Sequence, residues 1–581
     1  MKIEIKDIIY INTGSSWLVL LTLFFVLFSS CNNDNVPRGG SDSDKTATVR
    51  LTFTASSQQT TRALSSNEST VNDITVLIFN SNGDVIGSNY QTFTTSPYSM
   101  TVTTRFANNC TIYAIANTGS SSYFSGVSTL TAFKAKYTTL TTASDLGAGS
   151  SVIMFGKSTG TVNITTAIQS IGSIPLTRLC TRLDFTIAPA SGITITGYQL
   201  CHVPMNSYIS DVNSPSYNPG GGNWGNFTAI TGLTAASTTV NVSYYMYENL
   251  VGTKVGATSL ATRISSNAPT DATYLLVYAK TSGWSSVYCI YLGGTGSTDY
   301  TNYSIPRNYN YSYTININGS GWTDTRVTYT TNAPADAVYY YSDGTWGSYN
   351  PTKTAIGVVF STTTSSTDQA KGWTHGYVMA LTNAQSTGGI TWAPSAYQST
   401  SEFGASNYVN TVALEESDMD GYSHCQTIKS KAGSSLSSSY YSPFYYALNY
   451  GTASVGGTQY AAPSGTSGWY LPSIGQWYTI MKKLGGVTTA VDNNDPARGY
   501  WTATGNASFT AAAAINTYLN PVNGGIIDCS SSAQRWFWTS SEFMASAACA
   551  AFFNTGGELG MDGTGKASTD ATNRVRAVLA F

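Results

Sequence analysis

From Thr48 onward, the chain alternates between apolar and polar residues. Thr48-Val-Arg-Leu-Thr-Phe-Thr54 places Val49, Leu51 and Phe53 on one face and polar side chains on the other, the period of two that marks a strand with one face buried. Asp73 to Asn80 is apolar on both faces and runs into Ser81-Asn-Gly-Asp84. That pattern predicts a central strand entering a hairpin through an Asn-Gly turn, where glycine accepts a positive φ. Asn109 to Asn117 predicts a further buried strand, and no convincing amphipathic helix breaks the strand pattern, the nearest to one being Leu130 to Tyr137. Ser173 to Ile187 alternates over a length that suits a strand shared by two domains. Ile193 to Thr196, Tyr198 to Val203, Thr238 to Tyr245, Thr273 to Ala279, Val287 to Leu292 and Tyr311 to Ile317 then follow as strands divided by turn clusters. This is the layout of a second all-β sandwich. No sequence repeat of fixed period joins the two halves.

The final third changes period from two to 3.6. Ser473-Ile-Gly-Gln476 reads as a capping box, with Trp477, Ile480, Met481 and Leu484 at helical spacing behind it and Gly485 as the stop. Ser508 to Leu519 predicts a second helix that ends before Pro521.

The N-terminal pattern is of another kind. Lys2 and Lys6 precede the apolar run Trp17 to Phe28, which at about twelve residues is well short of the roughly twenty that span a bilayer. It reads as the apolar region of a secretory signal. Leu27-Phe28-Ser29-Ser30 before Cys31 resembles a bacterial lipobox, which predicts cleavage and a diacylglyceryl group on the Cys31 thiol; the alternative is an ordinary cleaved signal followed by an incidental cysteine. Asn32 to Lys45 has no periodicity and reads as a flexible tether.

Composition narrows the function classes. A length of 581 residues suits three or four domains. Only 10 % of residues are charged and the net charge is -2, so no basic footprint for nucleic acid or anionic lipid is present. Of eight cysteines, Cys31 set aside leaves an odd number that cannot all pair within the chain. Cys110, Cys180, Cys201 and Cys289 sit in apolar strand patterns as small hydrophobes, and a bridge among Cys425, Cys529 and Cys549 stays open. No Cys/His cluster has zinc spacing. With three histidines and no GxSxG, HExxH or phosphate-cradling loop, the sequence predicts no enzyme. His202 reads as structural, and His424 and Cys425, if on a strand, point to opposite faces. Asp418, Asp420, Asp492 and Asp495 supply hard oxygens in short loops but lack the EF-hand order. They read as turns, so no cofactor is assigned and calcium in the last domain stays open. Trp469, Trp477 and Trp538 read as core, whereas Trp346, Trp373, Trp392, Trp501 and Trp536 remain candidate platforms for a sugar face.

Several motifs carry a resemblance. Arg178-Leu-Cys-Thr-Arg-Leu-Asp-Phe185, Tyr247-Glu-Asn-Leu-Val-Gly252, Tyr291-Leu-Gly293 and Ile305-Pro-Arg-Asn-Tyr-Asn-Tyr311, with Thr61-Arg-Ala63 and Tyr113-Ala-Ile-Ala-Asn117 upstream, resemble in order and spacing the Bacteroidales fimbrillins, or type V pilins, over residues 47–320. Gly468-Trp-Tyr-Leu-Pro-Ser473, Trp538-Thr-Ser-Ser-Glu542, Arg574-Val-Arg-Ala-Val578, Tyr339 to Gly344 and Asp418 to Gly421 resemble the C-type-lectin-like modules that some minor pilins carry. The resemblance implies a mainly β chain: two tandem antiparallel β-sandwich (transthyretin-like) pilin domains followed by an α+β C-type-lectin-like domain. The expected division is 1–30 lipoprotein signal peptide, 31–47 tether, 48–178 first sandwich, 179–320 second sandwich, 321–335 linker and 336–581 adhesive domain.

Gln58 to Ser65 has an exposed-loop composition around a lone cation, Arg62, and is open to proteolysis. In the resembled family an Arg-specific protease cuts after such an arginine, here between Arg62 and Ala63, and removes the first strand. A neighbouring pilin subunit then supplies a strand by β-augmentation. The plain alternative is an ordinary loop arginine. The resulting expectation is a minor, tip-type fimbrial subunit, exported as an outer-membrane or cell-surface lipoprotein, whose partners are other pilins and a host, microbial or glycan ligand. The competing expectation is a surface lipoprotein that binds glycan or protein without polymerising.

Overall fold

The computed structural model describes residues 45–55, 66–146, 151–210, 223–294, 298–385, 387–487, 499–501, 507–529, 536–569 and 573–581. The chain is mainly β. Its first five strands are β1 (Thr46–Ala55), β2 (Asp73–Phe79), β3 (Val85–Thr92), β4 (Tyr98–Arg105) and β5 (Ala107–Ala116). With Met154–Lys157, Val162–Ile164 and Ile168–Arg178 they form one sheet in the order β2, β3, β4, β1, 168–178, 154–157, β5, 162–164, and β5 pairs back onto β2. The first sandwich is therefore a sheet that closes on itself. The closure between β3 and β4 rests on the pairing of Gly87 with Thr104. A Cβ at Gly87 would lie 2.6 Å from that of Thr104, so only glycine allows the strands to meet.

The two apolar faces of β2 now have separate explanations. Ile74, Val76 and Ile78 fill the interior of the closed sheet. Leu77 and Phe79 point the other way and join Tyr113 and Phe133 in a second core shared with the next unit, Phe133 coming from the short helix Leu130–Lys134. The long alternating run that starts at Ser173 is split at Leu179: Ile168–Arg178 belongs to the first unit and Cys180–Pro189 to the second.

In the second unit, a three-stranded sheet (Val240–Tyr247, Cys180–Pro189, Asn310–Ile317) and a five-stranded one (Ile230–Thr231, Thr194–Cys201, Tyr274–Lys280, Trp284–Tyr291, Val327–Thr331) contribute to this shared core. Leu183, Phe185 and Ile187 meet Leu200, Leu275 and Val277 there. The stretch 321–335, expected to be a linker, includes a paired strand: Val327–Thr331 pairs antiparallel with Trp284–Tyr291. Its short alternation, with Val327 and Tyr329 half-buried, explains the difference.

The two units also share a strand signature. β1 lies antiparallel to β4 and parallel to Ile168–Arg178. Cys180–Pro189 lies antiparallel to Val240–Tyr247 and parallel to Asn310–Ile317. Arg50-Leu-Thr-Phe-Thr54 and Arg182-Leu-Asp-Phe-Thr186 occupy these matching places. A fixed-period search misses such a pair because the loops around it differ in length.

The last third holds two five-stranded sheets around one core, packed with the helices Gly421–Ala432, Ile474–Lys483 and Ala507–Leu519. The predicted capping box is present, with Ser473 at the N-cap and Gln476 at the third position. All seven described cysteines are free thiols, so none of Cys425, Cys529 and Cys549 is bridged. Among the described residues no helix is long and apolar enough to cross a membrane.

Candidate functional site

β1 is built as an insertable piece. Ala47, Val49, Leu51 and Phe53 are all buried and lie against Met100, Val102, Ile174 and Leu176 of the two flanking strands. Its backbone pairs with β4 from Thr46 to Phe53 and with Ile168–Arg178 from Thr48 to Ala55, with a register shift between Arg50 and Thr52. From Ser66 onward the chain is anchored afresh. The Arg178 guanidinium donates to the Glu68 carbonyl at 3.2 Å, and Arg182 lies 3.5 Å from the Glu68 carboxylate. Both arginines belong to the fimbrillin-like motif, which thereby ties the segment around Glu68 to the junction of the two units. The predicted site residues Cys31, Arg62 and Ala63 lie outside the described residues.

The candidate platforms separate by exposure. Trp392 and Trp373 are buried, as are Trp469, Trp477 and Trp538, and Trp536 is half-buried against Phe552. Trp346 is 47 % exposed. The Trp501 side chain and Asp492 to Asp495 lie outside the described residues.

No reactive constellation is open to solvent among the described residues. His424 and Cys425 lie on the helix Gly421–Ala432 and not on a strand; the buried positions Gly421, Cys425 and Ile428 have helical spacing that the sequence already held. The Cys425 thiol is buried, exchanges hydrogen bonds with the Leu471 backbone, and is pushed far above the usual thiol range by that burial. The fold does bring His424 to a serine, with Nδ1 at 3.2 Å from Ser540 Oγ. Sequence reasoning missed this pair because 116 residues separate its members. Ser540 is fully buried and the imidazole stacks on Phe403, while Asp418 is bonded to Ser541 and not to His424. The serine hydroxyl is thus closed off from solvent, while His424 is half-buried beside it.

Asp418 is likewise a clamp. One carboxylate oxygen accepts from the Asp420 N–H and the other from Ser541, and its carbonyl accepts from Ser473 Oγ and the Gly475 N–H. Among the described residues no group of three His, Cys, Asp or Glu side chains is placed to hold a metal ion.

Glu415 is the least accommodated charge of the last third. It is fully buried, and both oxygens are without a hydrogen-bond partner among the described residues. Burial first, and the Asp562 carboxylate second, push its carboxyl up to about 9. A carboxyl that stays protonated when folded but ionises when unfolded weakens the fold as pH rises from about 4.5 to about 9. At about 1.4 kcal/mol per pH unit this is roughly 3 kcal/mol at pH 7. Glu415→Met is therefore expected to raise Tm at pH 7 and to flatten its decline between pH 5 and 9, as checked by thermal melts across about five pH values; an unchanged pH profile would refute this reading.

Comparison with known proteins agrees with the sequence pattern. Residues 47–197 match the family of the major fimbrial subunit protein (FimA), and residues 244–315 match a domain of unknown function, DUF4906. No curated protein matches the chain. Among solved structures it is similar to the C-terminally truncated tip fimbrial protein of Porphyromonas gingivalis, at 16 % identity over 49 % of this chain and 99 % of that one, with a TM-score of 0.35. A fimbrilin of the same organism shows 13 % identity over 49 % of this chain and 96 % of its own, at 0.32. A fimbrial protein of Bacteroides ovatus shows 13 % identity over 92 % of this chain and 99 % of its own, at 0.27.

Proposed function

We propose, for a chain whose residues 47–197 match the major fimbrial subunit family, the role of a minor, tip-type fimbrial subunit of the cell surface. It assembles by accepting a strand from a neighbouring pilin and binds its target through a C-type-lectin-like C-terminal domain. The observation that carries this reading is β1: central in its sheet, buried along one face, and followed in sequence by Arg62. Cleavage there frees the tether and β1 together, while Glu68 keeps the following segment in place. The vacated groove takes an incoming strand by β-augmentation.

The tip position is supported by what the last third does with its strands. Val578–Ala580 pairs with Tyr377–Ala380 inside its own sheet, and its side chains belong to the core. It is not held as a strand to donate. A subunit that accepts a strand and keeps Val578–Ala580 in its own core suits the end of a fibre, with its last domain facing outward.

Mass spectrometry of the N-terminus on material sheared from cells tests the reading. A mature chain starting at Ala63 is the expected result. A diacylated Cys31 with β1 still attached overturns assembly and leaves a surface lipoprotein that binds without polymerising.

A further inference from the structure

We propose that Trp346 and His375 form a binding face for a neutral hexopyranose, a site that rests on reading the C-terminal part as the binding part. Trp346 lies on the two-residue strand Trp346–Gly347, where it pairs with Tyr340 across the hairpin. Its indole packs at 4.9 Å from the imidazole of His375, tilted by 34°, and at 4.9 Å from the Phe581 ring, nearly edge-on at 63°. Tyr340 lies parallel to it within 13° and itself meets Phe581 at 4.6 Å. The indole is thus backed by three rings and still 47 % exposed.

Its position is fixed by the backbone around it. Tyr341 Oη donates to the Ser348 carbonyl and accepts from the Asn350 N–H, which pins the chain just after Trp346. The His375 and Gly376 N–H groups both donate to the Phe581 carbonyl, so the backbone that carries the imidazole is pinned as well. A ring held still in water loses little further entropy when it is covered, which favours binding.

The size of the face decides the kind of occupant. A tryptophan side chain offers about 150–250 Å², so the exposed half is about 100 Å². A stable protein partner needs about 800 Å² per side, far more than this face supplies. A pyranose suits it: one face of the sugar is a patch of C–H bonds that sits on the electron-rich indole, and its hydroxyls lie at the rim. There the exposed imidazole of His375 provides one nitrogen that donates and one that accepts when neutral. With charged residues at only 10 % of the chain, a neutral sugar is favoured over an anionic one.

The test uses the full mature chain passed over immobilised polyacrylamide conjugates bearing β-galactose, α-mannose, β-N-acetylglucosamine or sialic acid. Retention on at least one neutral pyranoside is expected. Trp346→Ala is expected to weaken it by about tenfold or more, whereas Trp346→Phe keeps most of it and Trp322→Ala, at the other exposed tryptophan among the described residues, leaves it unchanged. His375→Ala, which keeps the indole, is expected to weaken it by a smaller factor and serves where Trp346→Ala fails to fold. Retention on none of the neutral sugars overturns the proposal, as does retention that is indifferent to Trp346→Ala and His375→Ala, or retention on sialic acid alone. The start of the mature chain is read independently, so a failed sugar site leaves the fimbrial reading to stand or fall by Ala63.

Discussion

A chain produced from Ala63, without β1, is expected to have a first β unit that is open and markedly less stable, and to recover when a peptide of residues 46–55 is added. Val49, Leu51 and Phe53 are each buried to within a few percent of fully. At about 1.5 to 3 kcal/mol per side chain their removal forfeits roughly 5 to 9 kcal/mol of apolar burial. That is comparable with the whole stability of a typical domain, about 5 to 15 kcal/mol. The loss is larger still because β4 and Ile168–Arg178 would both expose unpaired backbone. Hydrogen exchange resolves the effect by position. Amides of Tyr98–Arg105 and Ile168–Arg178 are expected to lose protection in the shortened chain and regain it with the peptide, while those of Val578–Ala580 in the last third are unmoved. A peptide with Asp in place of Leu51 is expected to fail, since that side chain sits 1 % exposed opposite Met100. Full protection in the shortened chain without peptide would remove the groove, and with it the argument for strand replacement.

What the sequence revealed of this design was local. The alternation of Val49, Leu51 and Phe53 and the double-sided hydrophobicity of Asp73 to Phe79 are period-two signals, and both strands are where the pattern put them. The capping box at Ser473 was legible for the same reason, since its partners are three residues apart. Contacts that join distant segments left no such trace. The closure of the first sheet depends on Gly87 meeting Thr104 and on β2 reaching β5, and neither pairing has a signature within one element. The matching strands at Arg50 and Arg182 were visible as five-residue words, but their significance lies in equal sheet positions, which only topology shows. Trp346 and Trp392 are the same residue type in the last third, at 47 % and 0 % exposure. Which of them faces water is set by the packing of Phe444 and Phe403 against Trp392, not by local sequence. The strand condition set on His424 and Cys425 does not hold, since both lie on the helix Gly421–Ala432.

The least legible feature of the last third carries the second large effect. Glu542 and Lys566 form an ion pair with both side chains at 0 % exposure. One Glu542 oxygen accepts from Lys566 and from the Glu402 N–H, the other from Ser401 Oγ and the Phe403 N–H. Lys566 also donates to the Thr400 carbonyl at 2.7 Å, and its ammonium lies 5.0 Å from the centre of the Trp392 ring. The pair therefore stitches the loop at 400–403 onto the strands Trp536–Met544 and Leu559–Gly565. Burying two charges costs about as much as their attraction returns, but removing one leaves the other uncompensated, at about 3 to 5 kcal/mol. Glu542→Gln and Lys566→Met are each expected to lower the unfolding free energy by an amount in that range, read as a fall in the urea midpoint at unchanged slope. The double variant is expected to be less damaging than the sum of the two, because no unpaired charge remains and the glutamine carbonyl can still accept from the loop. The measured coupling separates this account from its rival. If the two losses simply add, the pair is two independent packing contacts, and the buried charge has no part in holding the loop.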